Sequence, residues 1–119
     1  MAKVLVVDDA AFMRVRAARV LEEAGHEVAQ AENGREAVKQ YIEWRPDAVL
    51  MDITMPEMDG LAALKEIRKI DPDARVAMVT AMGQQAIVME ALRSGARDFV
   101  LKPFQPERML AALQKLLAA

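Results

Sequence analysis

Met51-Asp52-Ile53-Thr54-Met55-Pro56-Glu57-Met58-Asp59-Gly60 is the stretch that decides the fold. Before it, Asp47-Ala48-Val49-Leu50-Met51 brings in a short apolar run. After it, Leu61, Leu64, Ile67 and Ile70 recur at helical spacing. The pattern predicts a strand ending at Asp52, a loop, and a helix capped by Asp59. A carboxylate at the C-terminal end of a buried strand lies where open α/β sheets place their chemistry.

The same unit repeats along the chain. Lys3-Val4-Leu5-Val6-Val7 lacks alternation, so it reads as a strand buried on both faces and points to a parallel sheet. Asp8 and Asp9 end it. A helix is expected from Ala11 to about Ala24, with Met13, Ala17, Val20, Leu21 and Ala24 on its buried face and Gly25 just beyond. Val28-Ala29-Gln30-Ala31 is partly polar and reads as an edge strand. Asn33 and Glu36 have capping-box spacing for a second helix that buries Ala37, Val38, Tyr41 and Ile42 and ends before Pro46.

Downstream, Asp71-Pro72-Asp73 is a turn and Val76-Ala77-Met78-Val79 a buried strand ending at Thr80. A helix follows from about Gln84 to Ser94, closed by Gly95. Asp98-Phe99-Val100-Leu101 is the last strand, ending at Lys102-Pro103. Pro106 opens a final helix with Met109, Leu113, Leu116 and Leu117 as its core stripe. Strict βα alternation predicts an α/β fold, a parallel sheet with helices on both faces. Five units are too few for an eight-stranded barrel, so an open doubly wound five-stranded sheet is expected.

Composition bounds what this fold can do. The 119 residues suit one domain, 1–119. A hydrophobic fraction of 54% supplies a core, and 29% charged residues an ordinary surface. A net charge of −2 without a basic stripe argues against nucleic acid. No run reaches membrane-spanning length and no signal-peptide pattern is present, so a cytoplasmic location and no membrane partner are expected. The absence of cysteine excludes disulfides, thiolate nucleophiles and Cys-ligated zinc.

Asp8-Asp9, Asp52, Thr80 and Lys102 each follow a different apolar strand. In a parallel sheet those ends share one edge, which brings three carboxylates, a hydroxyl and an ammonium into one crevice. Taken singly, each residue reads as a turn, a cap or a solvated charge; the combination makes a site. Crowded carboxylates gain proton affinity or recruit a cation, and all-oxygen ligands suit Mg²⁺. Such a cation beside Asp52, with Lys102 as a second positive charge and Thr80 as a donor, suits attack of Asp52 on phosphorus. Asp59 and Asn33 read as caps, and Asp47, Asp71 and Asp73 as surface turn residues.

Val6-Val7-Asp8-Asp9, the 51–60 stretch, Thr80-Ala81 and Lys102-Pro103-Phe104 together resemble the receiver domains of response regulators, in order and spacing over essentially the whole chain. Asp8 to Arg14 and Ala81 to Ala86 are most similar to single-domain chemotaxis members. The resemblance implies a flavodoxin-like (βα)5 sheet in the order 2-1-3-4-5. It implies that Asp52 accepts the phosphoryl group, that Asp9, Asp52 and the Thr54 carbonyl bind Mg²⁺ directly, and that Asp8 does so through water. Lys102 pairs with the acidic cluster and then with the phosphoryl group. Thr80 moves to bond the phosphoryl oxygen, Ala81 leaves access, and the Lys102–Pro103 bond is cis. Phe99 matches the aromatic switch position, where many chemotaxis members carry Tyr. Thr54 and Met82 occupy positions that tune dephosphorylation; the apolar Met82 predicts a long-lived phosphoryl state.

The implied donor is a histidine kinase or a small acyl phosphate. The implied output partner is a flagellar motor switch protein, reading the face of the fourth helix, fifth strand and fifth helix, where Met89, Glu90, Arg93 and Arg108 are candidate contacts. With no output domain after the last helix, a monomeric, diffusible messenger is expected. It is no enzyme, acting only on its own Asp52. A phosphorelay intermediate and a receiver cut from a larger regulator, or engineered, would share these residues. A Mg²⁺-dependent aspartyl phosphatase is disfavoured, since Thr54 stands where its second acid belongs.

Overall fold

A computed structural model describes residues 1–55, 58–81 and 83–118. The strands are β1 (Lys3–Val7), β2 (Glu27–Ala31), β3 (Ala48–Asp52), β4 (Val76–Thr80) and β5 (Asp98–Leu101). The helices are α1 (Ala11–Glu23), α2 (Gly34–Trp44), α3 (Gly60–Ile70), α4 (Gln85–Arg93) and α5 (Pro106–Leu117). All strand pairs are parallel, and the order is β2-β1-β3-β4-β5. The expected doubly wound sheet and its order are both present, with the partly polar β2 at one edge.

The continuous apolar runs are explained by two cores. Side chains alternate along a strand. Leu5, Val7, Val49, Met51, Val76 and Met78 pack on one face with Ala37 and Tyr41 of α2 and Leu64 and Ile67 of α3. Val4, Val6, Leu50, Ala77 and Val100 pack on the other with Leu21 of α1 and Met109, Leu113 and Leu116 of α5. A central strand such as β3 thus has no face left for polar side chains, and every one of its residues is buried.

The caps are those the sequence predicts. Asn33 Oδ1 accepts from the Glu36 N–H at 2.8 Å, and Asp59 Oδ1 from the Ala62 N–H at 2.8 Å. Gly25 and Gly95, after α1 and α4, take φ of +94° and +111°.

Three expectations need correction. Ala24 follows the last residue of α1 and is exposed, because the chain is already turning into Gly25. Ile42 is 53% exposed: α2 rolls so that Ala37 and Tyr41 face the sheet. The end of α2 before Pro46 is as expected, with Arg45 in the left-handed region at φ +51° and its N–H bonded to the Tyr41 carbonyl. Asp71 is more than a surface turn residue, since it accepts the hydroxyl of buried Tyr41 at 2.7 Å. That bond answers the one polar atom that Tyr41 carries into the core.

Candidate phosphoryl-acceptor site

Parallel pairing sets the site. β1, β3, β4 and β5 end together, with Val7 opposite Met51, Asp52 opposite Val79, and Thr80 opposite Leu101. The next residues of these chains therefore converge. Asp8, Asp9 and Asp52 each offer an oxygen within 4.8 Å of the others. Lys102 Nζ lies 3.1 Å from Asp52 Oδ1 and 3.3 Å from Asp8 Oδ2. The Lys102 backbone is held by its N–H donating to the Thr80 carbonyl at 2.7 Å, and the Lys102–Pro103 bond is cis.

Asp8 and Asp9 differ in setting. Asp8 is buried and Asp9 exposed. Asp8 Oδ1 accepts the Ala10 N–H at 2.9 Å, and its backbone carbonyl accepts from Arg14 at 2.8 Å, which fixes the loop leading into α1. One Asp8 oxygen is thereby committed to its own loop and the other to Lys102. Asp9 is the solvent-exposed carboxylate of the cluster.

Asp52 is 5% exposed. Burial, the largest influence, pushes its carboxyl from 3.8 up to about 6; Lys102 pulls it down, and Asp8 and Asp9 push it up further. The sequence pointed to crowding of carboxylates as the cause of raised proton affinity, yet desolvation is the larger one. Around Lys102 burial works against the ammonium, but the bonds and charges of Asp52 and Asp8 outweigh it and its affinity for the proton rises.

Three carboxylates in oxygen–oxygen reach, one exposed and none of them bonded to a soft ligand, fit a hard cation that keeps several waters. That all-carboxylate donor set suits Mg²⁺ and lacks the His and Cys ligands on which zinc sites are usually built.

Gly60 is a structural member of the site that the sequence reading left without a role. Its N–H donates to the Ile53 carbonyl at 2.7 Å, and a Cβ here would stand 2.0 Å from the Asp52 carbonyl oxygen. Only glycine lets α3 start this close beneath Asp52.

Thr80, 1% exposed, does not face Asp52 through any hydrogen bond. Its hydroxyl donates to Gln84 Oε1 at 2.8 Å, with the Ala81 carbonyl at 3.2 Å. Thr54 is exposed, and its hydroxyl accepts from Gln84 Nε2 at 2.9 Å. Gln84 was read only as the start of a helix. No helical spacing signals it, because Thr80 ends a strand and Thr54 lies in another loop. Met82 lies outside the described residues.

On the outer side, Thr80 and Phe99 line one groove of about 250 Å³ with Val88, Met89, Leu92 and Leu101. Phe99 is 37% exposed and Met89 51%, so Met89 is not a core residue. Arg108 donates to the Phe99 carbonyl at 2.7 Å, and Glu90 pairs with Lys65 at 3.6 Å. Of the residues expected at an output face, Met89 lines this groove beside Phe99 and Arg108 bonds to the Phe99 backbone, whereas Glu90 is engaged with Lys65 of α3.

This fold and this edge define a class. Residues 4–114 match the response regulator receiver domain family, and the chain belongs to it. It is the receiver domain of a two-component response regulator, a signalling module that is not an enzyme acting on a separate substrate. Its relatives sharpen the picture. The chain is 58% identical over 115 residues to the chemotaxis protein CheY of Thermotoga maritima, covering 96% of each. It is 56% identical over 116 residues to that of Bacillus subtilis, covering 97% of each. A putative response regulator from Chloroflexus aurantiacus superposes with a TM-score of 0.94 at 31% identity, covering 99% of this chain and 98% of the other.

Proposed function

We propose that Asp52 is the phosphoryl acceptor of a chemotaxis response regulator. The observation that carries this reading is a buried carboxylate 3.1 Å from Lys102 within an acidic cluster. An Asp52 oxygen attacks the phosphorus of a phosphohistidine on a kinase, or of an acyl phosphate. The P–O bond to Asp52 forms as the donor's P–N or P–O bond breaks, and the leaving imidazole or carboxylate departs. Lys102 holds Asp52 in place beforehand and balances the phosphoryl charge afterwards. Asp8, Asp9, Asp52 and the Thr54 carbonyl would hold Mg²⁺, which when bound supplies charge neutralisation at the phosphoryl oxygens. Water later reverses the modification, and an apolar residue at position 82 gives no group to orient it.

Thr80 swinging toward the phosphoryl group vacates space beside Phe99, since both line one groove. That couples the crevice to the face of α4, β5 and α5. Moving such an equilibrium from mostly inactive to mostly active takes about 5 kcal/mol of differential binding. The relatives' chemotaxis names support a histidine kinase as donor; on this reading a flagellar motor switch protein reads that face, and the receiver acts as a monomer in the cytoplasm. No helix among the described residues is long and apolar enough to cross a membrane.

Incubation with Mg²⁺ and beryllofluoride, followed by pull-down on a motor-switch peptide and on a histidine phosphotransfer domain, tests the output. Retention on the peptide only when beryllofluoride is present supports the messenger. Retention on the phosphotransfer domain alone identifies a phosphorelay intermediate instead.

A further inference from the structure

Gln84 occupies the residue before α4 yet caps nothing: its side chain makes no bond to the helix's first N–H groups. The carboxamide is turned sideways. Oε1 accepts from the Thr80 hydroxyl at 2.8 Å and from the Ala81 N–H at 2.9 Å, while Nε2 donates to the Thr54 hydroxyl at 2.9 Å. One side chain thus ties the loop after β4 to the loop after β3, and those two loops flank Asp52.

A hydroxyl has one proton to donate. While Thr80 donates to Gln84, it cannot donate to a phosphoryl oxygen on Asp52. We propose that Gln84 is a positioning residue, a latch that holds Thr80 in the resting arrangement and competes with the phosphoryl group for its hydroxyl. The proposal rests on the reading of Asp52 as acceptor and Thr80 as the hydroxyl that follows the phosphoryl group. Thr54 is the latch's anchor: its bond to Nε2 orients the carboxamide so that the oxygen, not the nitrogen, faces Thr80. The Ala81 carbonyl, at 3.2 Å from the Thr80 hydroxyl, remains as a weaker competitor when the latch is removed.

Losing one neutral hydrogen bond of the resting state shifts the balance toward the phosphoryl-bound arrangement by about two- to tenfold. The full chain, with Mg²⁺ present, is titrated with beryllofluoride by calorimetry as wild type, Gln84→Met, Gln84→Glu, Thr80→Ala and the Thr80→Ala, Gln84→Met double variant. Labelling by acetyl phosphate is followed in parallel by intact mass. Gln84→Met is expected to bind beryllofluoride about two- to tenfold more tightly. Gln84→Glu keeps the acceptor and is expected to bind no more tightly than wild type. In the Thr80→Ala background the Gln84→Met change is expected to have no effect, which a general loosening of the loop would not reproduce.

A Gln84→Met variant no tighter than wild type overturns the latch, as does equal tightening with Thr80 absent. Those results leave Asp52 labelled in the wild type. A wild type that takes up neither beryllofluoride nor a phosphoryl group overturns the reading of Asp52, and the latch with it.

Discussion

Asp52→Asn should make the metal-free protein more stable, although it removes the residue proposed to accept the phosphoryl group. Folding carries the Asp52 carboxyl from 3.8 to about 6, with burial as the first cause. At about 1.4 kcal/mol per pKa unit, the ionised form costs the fold about 3 kcal/mol at pH 8. That value already contains the attraction of Lys102. Solvent reaching the partly exposed Lys102 screens the crevice, so about 1–2 kcal/mol is expected in practice. Asparagine keeps the shape without the charge, and Lys102 keeps its contact with Asp8. The sign follows from the raised value: the protonated carboxyl favours the fold fully below 3.8, and that contribution is lost as pH rises through about 6. The gain of Asp52→Asn should therefore be flat above pH 7 and shrink steadily toward pH 4. Urea melts of both proteins in chelator, read as a difference at each pH, measure it. For a domain of this size it corresponds to a rise of about 4–8 °C in Tm. Mg²⁺ should narrow the gap by stabilising the wild type more. A variant less stable than wild type at pH 8, or a gain that does not fall with pH, would refute the claim that Asp52 is a strained, desolvated carboxylate.

Other expectations are simpler. Gly60→Ala should destabilise by about 2–4 kcal/mol and slow labelling by acetyl phosphate, because the new methyl meets the Asp52 carbonyl; thermal melts and mass spectrometry check both. Tyr41→Phe should cost about 1 kcal/mol at pH 7. The Tyr41 hydroxyl, ahead of other influences, lowers the Asp71 carboxyl, so the wild type's advantage should fade as pH falls below the ordinary carboxylate range. Lys102→Met should slow labelling of Asp52 by about a hundredfold, since its ammonium, 3.1 Å away, is the one ion-pair partner of that carboxylate among the described residues; initial rates by intact mass measure it.

The fold was legible because burial left the strands no freedom. Val4 to Val7 and Ala48 to Met51 could not alternate, and a parallel sheet explains that. The caps Asn33 and Asp59 were equally readable, since a short polar side chain ahead of an apolar periodicity has a local reason to be there. The convergence of Asp8, Asp9, Asp52 and Lys102 followed from topology alone. Failures came where neighbours decide. Ile42 fits the period of α2, but the roll of the helix exposes it. Asp71 looked like turn punctuation until Tyr41's hydroxyl reached it from another element. Gln84 was invisible for the same reason: its bonds run to Thr54 and Thr80, and nothing local to Gln84 calls for them. The cause of the Asp52 shift was also misjudged, because crowding of charges can be read from a sequence while depth of burial cannot.

The central claim is that Asp52 alone carries the phosphoryl group. Acyl phosphates are reduced by borohydride to the alcohol, which turns a phosphorylated aspartate into homoserine. Treatment with Mg²⁺ and acetyl phosphate, reduction, and peptide mapping should place homoserine at position 52 and leave Asp8 and Asp9 unchanged. Homoserine at Asp8 or Asp9, or none anywhere, would contradict the account.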